Sequence, residues 1–427
     1  VTISALYQLF LEHPSVQTDT RKLKPGDIFF ALKGPNFNAN TLAEKALDAG
    51  ASYAVIDEAD YHTSDRTILV DDVLTTLQQL AQHHRRQFNI PFIAITGSNG
   101  KTTTKELIHA VLSAHFITYT TQGNLNNHIG IPLTILRVKP DAQMAVVEMG
   151  ANHPKEIEGY CKYALPSHGL ITNTGKAHLE GFGSLEGVRR AKGELYDFLR
   201  SREGTAFVMN DYDYLREMSA GIPHIVSYGT ADADIVGHAA ESAPFLSVDI
   251  TRGIQATIKT KLVGDYNLPN VLAAVAVGVH FGVPQQKIVQ ALENYQPSNS
   301  RSQLVKKGQN SIILDAYNAN PSSMTAAIQN FAAMPGDGKV VMLGAMMELG
   351  NDSLTEHEHL VHLLQQYPWK AVALVGGDFG RVSHPFRYFP DALTAGKWLS
   401  EQKLSESQIL IKGSRSMGME KVLETLE

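Results

Sequence analysis

The sequence predicts an α/β protein of three units: a small N-terminal α/β unit, a central unit with a mostly parallel sheet plus antiparallel strands, and a C-terminal Rossmann-like unit. Three observations carry this reading. The chain has 427 residues, too many for one core when a domain takes about 150. Short β-branched runs alternate with helical patterns, which is how parallel sheets with crossover helices read. The alternation breaks once, where Ile235, residues 245–250 and residues 254–262 read as consecutive antiparallel strands.

Composition narrows the class. Hydrophobic residues at 43% and charged residues at 19% describe a globular protein able to bury large cores. A net charge of −6 with no long basic run gives no reason to expect nucleic acid, so an anionic substrate must be met locally. The single Cys161 excludes an internal disulfide, fits a reducing compartment and reads as a small core or surface thiol. The start, Val1-Thr-Ile-Ser-Ala-Leu-Tyr7, lacks the basic and apolar regions of a signal peptide. The longest apolar run, 271–279, is far below the ~20 residues that span a bilayer. A cytoplasmic protein is expected.

Residues 1–88 form the first unit: strands at 28–32, 53–56 and 67–70, a helix at 41–49 ended by Gly50, and a helix through Leu74, Leu77 and Leu80. Asp19-Thr20-Arg21 and the cluster at 33–38 read as turn chemistry beside the strands.

Residues 89–297 form the central unit. The apolar run from Pro91 to Thr96 enters Gly97-Ser98-Asn99-Gly100-Lys101-Thr102-Thr103, followed by Leu107, Ile108, Val111 and Leu112 at helical spacing. That is strand, phosphate loop, helix: glycines let backbone N–H groups approach a polyphosphate, Lys101 reaches the β/γ-phosphates and Thr102 can ligate Mg²⁺. The loop is short, because Ile95 stands where the G-x-x-x-x-G-K-[ST] spacing needs Gly. An ordinary Gly-rich turn is the alternative. Amides and glycines crowd residues 121–132, including Asn126 and Asn127, as either a polar-ligand loop or a turn cluster. The strand at 144–147 ends in Glu148, at the strand edge where α/β sheets bind ligands, so Glu148 could complete a metal site with Thr102. His178 falls past the strand at 169–172 and is a second hard-ligand candidate. A helix with Val188, Ala191, Leu195 and Phe198 follows, on which Arg190 to Glu194, Lys192 included, reads by pattern as a solvated face. Strands at 206–209 and 225–228 extend the sheet, and after the antiparallel set Asn267 and Asn270 read as N-caps of an Ala-rich helix running to Phe281.

A turn-rich linker at 296–300 leads to the third unit, residues 298–427, with strands at 312–314, 340–343, 372–375 and 409–411 and helices after Pro321, Leu354, Ala392 and Met417. Polar clusters follow three of these strands and line one edge.

The loop Gly97-Ser-Asn-Gly-Lys-Thr-Thr103, with a Glu, a His and a Lys near the strand ends that follow, resembles the ATP-dependent Mur ligases of cell-wall synthesis. Residues 123–132, 178–184, Tyr317-Asn-Ala-Asn-Pro321, Leu343-Gly-Ala-Met-Met-Glu-Leu-Gly350 and Leu410-Ile-Lys-Gly-Ser-Arg415 resemble the branch that adds D-Ala-D-Ala to UDP-MurNAc-tripeptide. The resemblance covers essentially the whole chain in the family's order. It implies a UDP-substrate domain, a P-loop ATPase domain and a C-terminal domain that closes over the site, acting as a cytoplasmic, monomeric ligase of peptidoglycan synthesis. It implies that Lys101 holds ATP phosphates within the loop Gly97 to Thr103, that Thr102 and Glu148 bind one Mg²⁺, and that His178 and Lys192 flank a second. Lys192 would be carbamylated, since a carbamate offers oxygens where an ammonium repels the ion. Asn270 would meet adenine, with Arg301 and Asp315 reaching the nucleotide from the C-terminal domain. Thr20 and Arg21 would meet the uridine end, Asn126 and Asn127 the muramoyl peptide, and Asn318 and Asn320 the incoming dipeptide. Asn38-Ala-Asn40, Tyr266 and Ala345 depart from the family pattern. A folylpolyglutamate synthetase-like ligase would share the loop without the Tyr317 to Pro321 stretch. A P-loop kinase would pass phosphate to a stable acceptor.

Overall fold

The computed structural model describes residues 1–240, 244–298 and 300–426. In the first sheet four parallel strands lie in the order Val16–Gln17, Ile28–Phe30, Tyr53–Ile56, Thr67–Leu69. Alternate residues of the two central strands serve different cores, as the two-residue repeat of a strand dictates. Ile28, Phe30 and Val55 join the large core, whereas Phe29, Ala54 and Ile56 pack on Ala43, Ala46 and Leu47. The helix expected at 41–49 starts as a 3₁₀ turn, Ala39–Leu42, and becomes α-helical over Ala43–Asp48.

Helix Val73–Arg85, capped by Asp72 Oδ1 accepting from the Thr75 N–H at 2.6 Å, joins this unit to the next. Its buried stripe runs through Val73, Thr76, Leu77, Leu80, Ala81, His84 and Arg85, so Leu74 sits beside the stripe that the sequence reading put it in. Arg85 donates to the carbonyls of Ala164 (2.9 Å) and Leu165 (3.0 Å) and lies 3.8 Å over the Phe92 ring.

The central sheet has nine strands in the order Ala256–Val263, Phe245–Arg252, Ile235–Ala240, His224–Gly229, Thr205–Met209, His168–Ile171, Phe92–Thr96, Met144–Glu148, Thr118–Thr120. All neighbours pair parallel except the two pairings made by Phe245–Arg252. The expected antiparallel set is therefore an appendage at the far edge. Phe92–Thr96 and Met144–Glu148 are buried at every position, as strands covered by helices on both faces must be. Helix Leu268–His280 buries everything from Asn270 to Gly278 and packs on Lys101–Ser113.

The third sheet runs Gln303–Lys307, Asn310–Asp315, Gln408–Lys412, Val340–Gly344, Ala371–Val375, Arg387–Phe389, parallel apart from its first pair. The sequence reading lacked both edge strands. In place of the helix expected after Met417 stand two 3₁₀ segments, Arg415–Met417 and Met419–Thr425. Asn299 of the expected linker lies outside the described residues. Ile313, Val341, Leu343 and Leu410 belong to the same buried cluster as the central sheet, which is thus continuous through all three units. Among the described residues no helix is long and apolar enough to cross a membrane.

Candidate active site

The C-terminal ends of the central parallel strands converge on one cavity of about 1080 Å³. Its floor is the loop after Phe92–Thr96. Gly97 has φ +144°, and a Cβ there would lie 2.0 Å from Thr172 Oγ1; Gly100 has φ +79°, and a Cβ there would lie 2.6 Å from Asn270 Oδ1. Both positions require glycine. The loop is held from behind: Ser98 N–H donates to Asn173 O (2.9 Å) and Asn99 N–H to Asn173 Oδ1 (3.0 Å). Helix Lys101–Ser113 then points its N-terminus, where four amides lack helical partners, toward the cavity. Lys101 Nζ donates to the carbonyls of Gly97 (2.8 Å) and Ser98 (3.1 Å). Burial lowers its pKa; the Glu148 carboxylate works against that and Arg301 works with it.

Thr102 Oγ1 donates to Glu148 Oε1 at 3.1 Å, and Asn126 Nδ2 donates to the same oxygen at 2.8 Å. Glu148 Oε2 is buried without a hydrogen-bond partner. An orphaned carboxylate oxygen beside a threonine hydroxyl and a phosphate loop fits Mg²⁺, which is held by one or two carboxylates plus substrate phosphates and water. The other two predicted ligands are engaged elsewhere. His178, left-handed at φ +52°, pairs through Nδ1 with Glu348 Oε2 of the C-terminal unit. Lys192 is 1% exposed, not on a solvated face, and its Nζ donates to Ala151 O at 2.9 Å. Burial, and then Lys101, hold its pKa well below the ordinary lysine value against Glu156 and Glu194. No three His, Cys, Asp or Glu side chains cluster as a ready-made metal site among the described residues.

The C-terminal unit supplies the opposite wall. Arg301 stacks 3.6 Å over Tyr317, its Nε buried and unpartnered. Lys412 Nζ donates to Asp315 Oδ2 (2.6 Å) and Asn318 O (3.2 Å), tying the two strand ends together. Asn320 caps helix Pro321–Ala333 and sends Nδ2 to Asn99 Oδ1 at 2.7 Å.

The lining thus includes the loop from Ser98 to Thr103 together with Asn126, Asn127, Glu148, His178, Asn270, Arg301, Asp315, Asn318 and Asn320. Lys192, Thr20 and Arg21 are not among the lining residues. Arg21 is exposed and paired with Asp19 at 2.8 Å, next to Thr20 in the turn Thr20–Lys22. Asn38 and Asn40 are engaged locally, with Glu58 and Asp57 respectively, and Tyr266 OH meets Ser302 Oγ at 2.9 Å. Asn267 corrects a sequence expectation: its side chain makes no cap bond and instead donates to Val263 O while accepting from Asn270. Asn270 also accepts from Thr104 Oγ1 at 3.0 Å. Sequence reasoning gave no role to Tyr317 and Lys412, or to the arm formed by Met209, Asp211, Tyr212 and Thr230. That arm follows the ends of Thr205–Met209 and His224–Gly229, so the strand-edge rule that found Glu148 would have found it too.

The chain has recognisable relatives among known proteins. Residues 95–278 match the Mur ligase middle domain and residues 300–415 the Mur ligase, glutamate ligase domain. The UDP-N-acetylmuramoyl-tripeptide–D-alanyl-D-alanine ligase of Bacillus subtilis is 35% identical, over 96% of this chain and 92% of that protein. The crystal structure of MurF from Acinetobacter baumannii superposes with a TM-score of 0.86 at 32% identity, covering 96% of this chain and 92% of that one. MurF from Thermotoga maritima in complex with ADP gives 0.87 at 27% identity, covering 97% of each. Agreement of this kind along the full length of sequence and fold separates the chain from kinases and from folate-type ligases: it belongs to the family of UDP-N-acetylmuramoyl-tripeptide–D-alanyl-D-alanine ligases, the MurF ligases.

Proposed function

We propose that this chain uses ATP to join D-alanyl-D-alanine to UDP-N-acetylmuramoyl-tripeptide in two steps at the cavity floor. A terminal carboxylate oxygen of the tripeptide attacks the γ-phosphorus, ADP leaves, and an acyl phosphate forms. The amine of D-Ala-D-Ala then attacks the acyl carbon, and the tetrahedral intermediate collapses to an amide, releasing inorganic phosphate and a proton. The observation that carries this is one cavity joining a phosphate loop, a strand-end carboxylate and a wall from a second sheet.

Catalysis of this kind is positioning plus charge stabilisation. Lys101, now on loop carbonyls, turns to the β/γ-phosphates, and loop amides from Ser98 to Thr103 take the remaining oxygens. The arm at Asn270, Tyr212 and Thr230 accepts the nucleoside, with Arg301 and Asp315 closing on it. Asn126 and Asn127 meet the peptide end of the UDP substrate, Asn318 and Asn320 orient the dipeptide, and Thr20 and Arg21 meet the uridine end. When Mg²⁺ is bound it neutralises phosphate charge, and Thr102 and Glu148 are the residues that would hold it. Burial disfavours the charged form of Lys192, and its neutral amine would add CO₂ and lose one proton to give a carbamate, whose oxygens would serve the His178 side of the site. The division of labour falls at 1–88, 89–297 and 298–427, in a cytoplasmic monomer.

Hydroxylamine tests the intermediate. With ATP and UDP-MurNAc-tripeptide but no dipeptide, it should yield a hydroxamate at the tripeptide's carboxylate with one ADP each. ADP release without hydroxamate would contradict the acyl phosphate.

A further inference from the structure

The segment after strand His168–Ile171 meets the C-terminal unit through one charged pair that no role above accounts for. Lys176 Nζ donates to Glu356 Oε1 at 2.6 Å, and the Lys176 N–H donates to Ser322 Oγ at 3.0 Å. The preceding residue makes room for this: a Cβ at Gly175 would lie 2.7 Å from Ser322 Oγ. Ser322 is one residue inside the helix whose cap, Asn320, is bonded to Asn99 of the phosphate loop. Two residues beyond Lys176, His178 pairs with Glu348, and the Glu180 N–H donates to Glu348 O at 3.2 Å. The Glu356 side chain is 8% exposed, and among the described residues its other ion-pair partner by distance is His359 on its own helix, at 3.6 Å. A carboxylate so buried depends on its partner, since removing one member of such a pair strands the other. Units joined across such an interface can shift relative to one another without unfolding, which would return the Glu356 carboxylate to water. Because its two members belong to different units, the pair bears on how those units seat against each other more than on the folding of either.

We infer that Lys176 and Glu356 are positioning residues for ligation, acting as a latch that holds helix Pro321–Ala333 against the phosphate loop and keeps His178 facing the C-terminal wall. The inference rests on the ligase reading, and wild-type product formation tests that reading separately.

The test compares wild type with Lys176→Met, Glu356→Gln, the double variant and Lys176→Arg in steady-state ligation, with melting temperature measured alongside. Each single variant should lower kcat/KM for D-Ala-D-Ala about tenfold or more, with Tm within about 2 °C of wild type. The double variant should be no worse than the worse single, and Lys176→Arg should recover most of the loss. Small-angle scattering with ATP and UDP-MurNAc-tripeptide should show contraction in wild type and less in Lys176→Met. Unchanged kinetics, losses that multiply in the double variant, losses that track Tm, or equal contraction would overturn the latch.

Discussion

His168 opens strand His168–Ile171 at the edge opposite the active site, where its Nε2 meets His280 Nε2 at 3.3 Å and its ring packs beside Phe281. Burial, and then His280, hold its pKa down to about 4. The folded state therefore refuses a proton that the unfolded chain accepts near 6.5, so stability from this site is complete above about 6.5 and is lost as pH falls toward 4. A gap of about 2.5 units corresponds to about 3 kcal/mol. His168→Gln should flatten the decline in urea midpoint between pH 7 and pH 4.5, and a decline parallel to wild type would show that the site contributes nothing. Single residues were unequally legible in the sequence. Glu148 and Thr102 were, because a strand end and a helix start each fix a direction, and the two side chains meet at 3.1 Å. Asn267 was not: it stands at the cap position, yet the carbonyl of Val263 and the Asn270 amide compete for its side chain and win. Lys192 read as a surface lysine because helical pattern does not reveal which polar residue a neighbouring loop will cover.

At the scale of elements, the phosphate loop is the least forgiving piece of the chain. Gly97→Ala would combine a left-handed φ of +144° with a 2.0 Å clash against Thr172, a residue of the adjacent strand end. ATP affinity should fall about 100-fold or more, with a Tm loss of several degrees. Gly183→Ala is the control: φ is +75° but nothing lies within 4 Å of the new Cβ, so only backbone strain of about 1 kcal/mol applies and ATP affinity should hold. Equal ATP affinity in Gly97→Ala would contradict the tight-loop account. Buried strands announced themselves as apolar runs. Edge strands Gln303–Lys307 and Arg387–Phe389 did not, since with most positions half-buried or exposed they carry no apolar alternation. Helix Val73–Arg85 was recognised, but its closing Arg85 was not read as a buried strut, because its partners are carbonyls some 80 residues away in the chain.

At the scale of the molecule, three sheets share one continuous buried cluster, and residues of the central and C-terminal units line one cavity. The order of the units was readable from alternation and loop chemistry. Their mutual seating was not, because it depends on isolated polar contacts such as Asn99 with Asn320 and Lys176 with Glu356, which leave no periodic trace. That seating is what turns a nucleotide loop into a site where a carboxylate and an amine can be joined. The most direct measurement is product analysis with UDP-MurNAc-tripeptide, D-Ala-D-Ala and ATP. The account predicts UDP-MurNAc-pentapeptide with one ADP and one phosphate per new amide, and no turnover when any one substrate is omitted. ATP consumption without a new amide, or phosphate carried on a stable product, would contradict it.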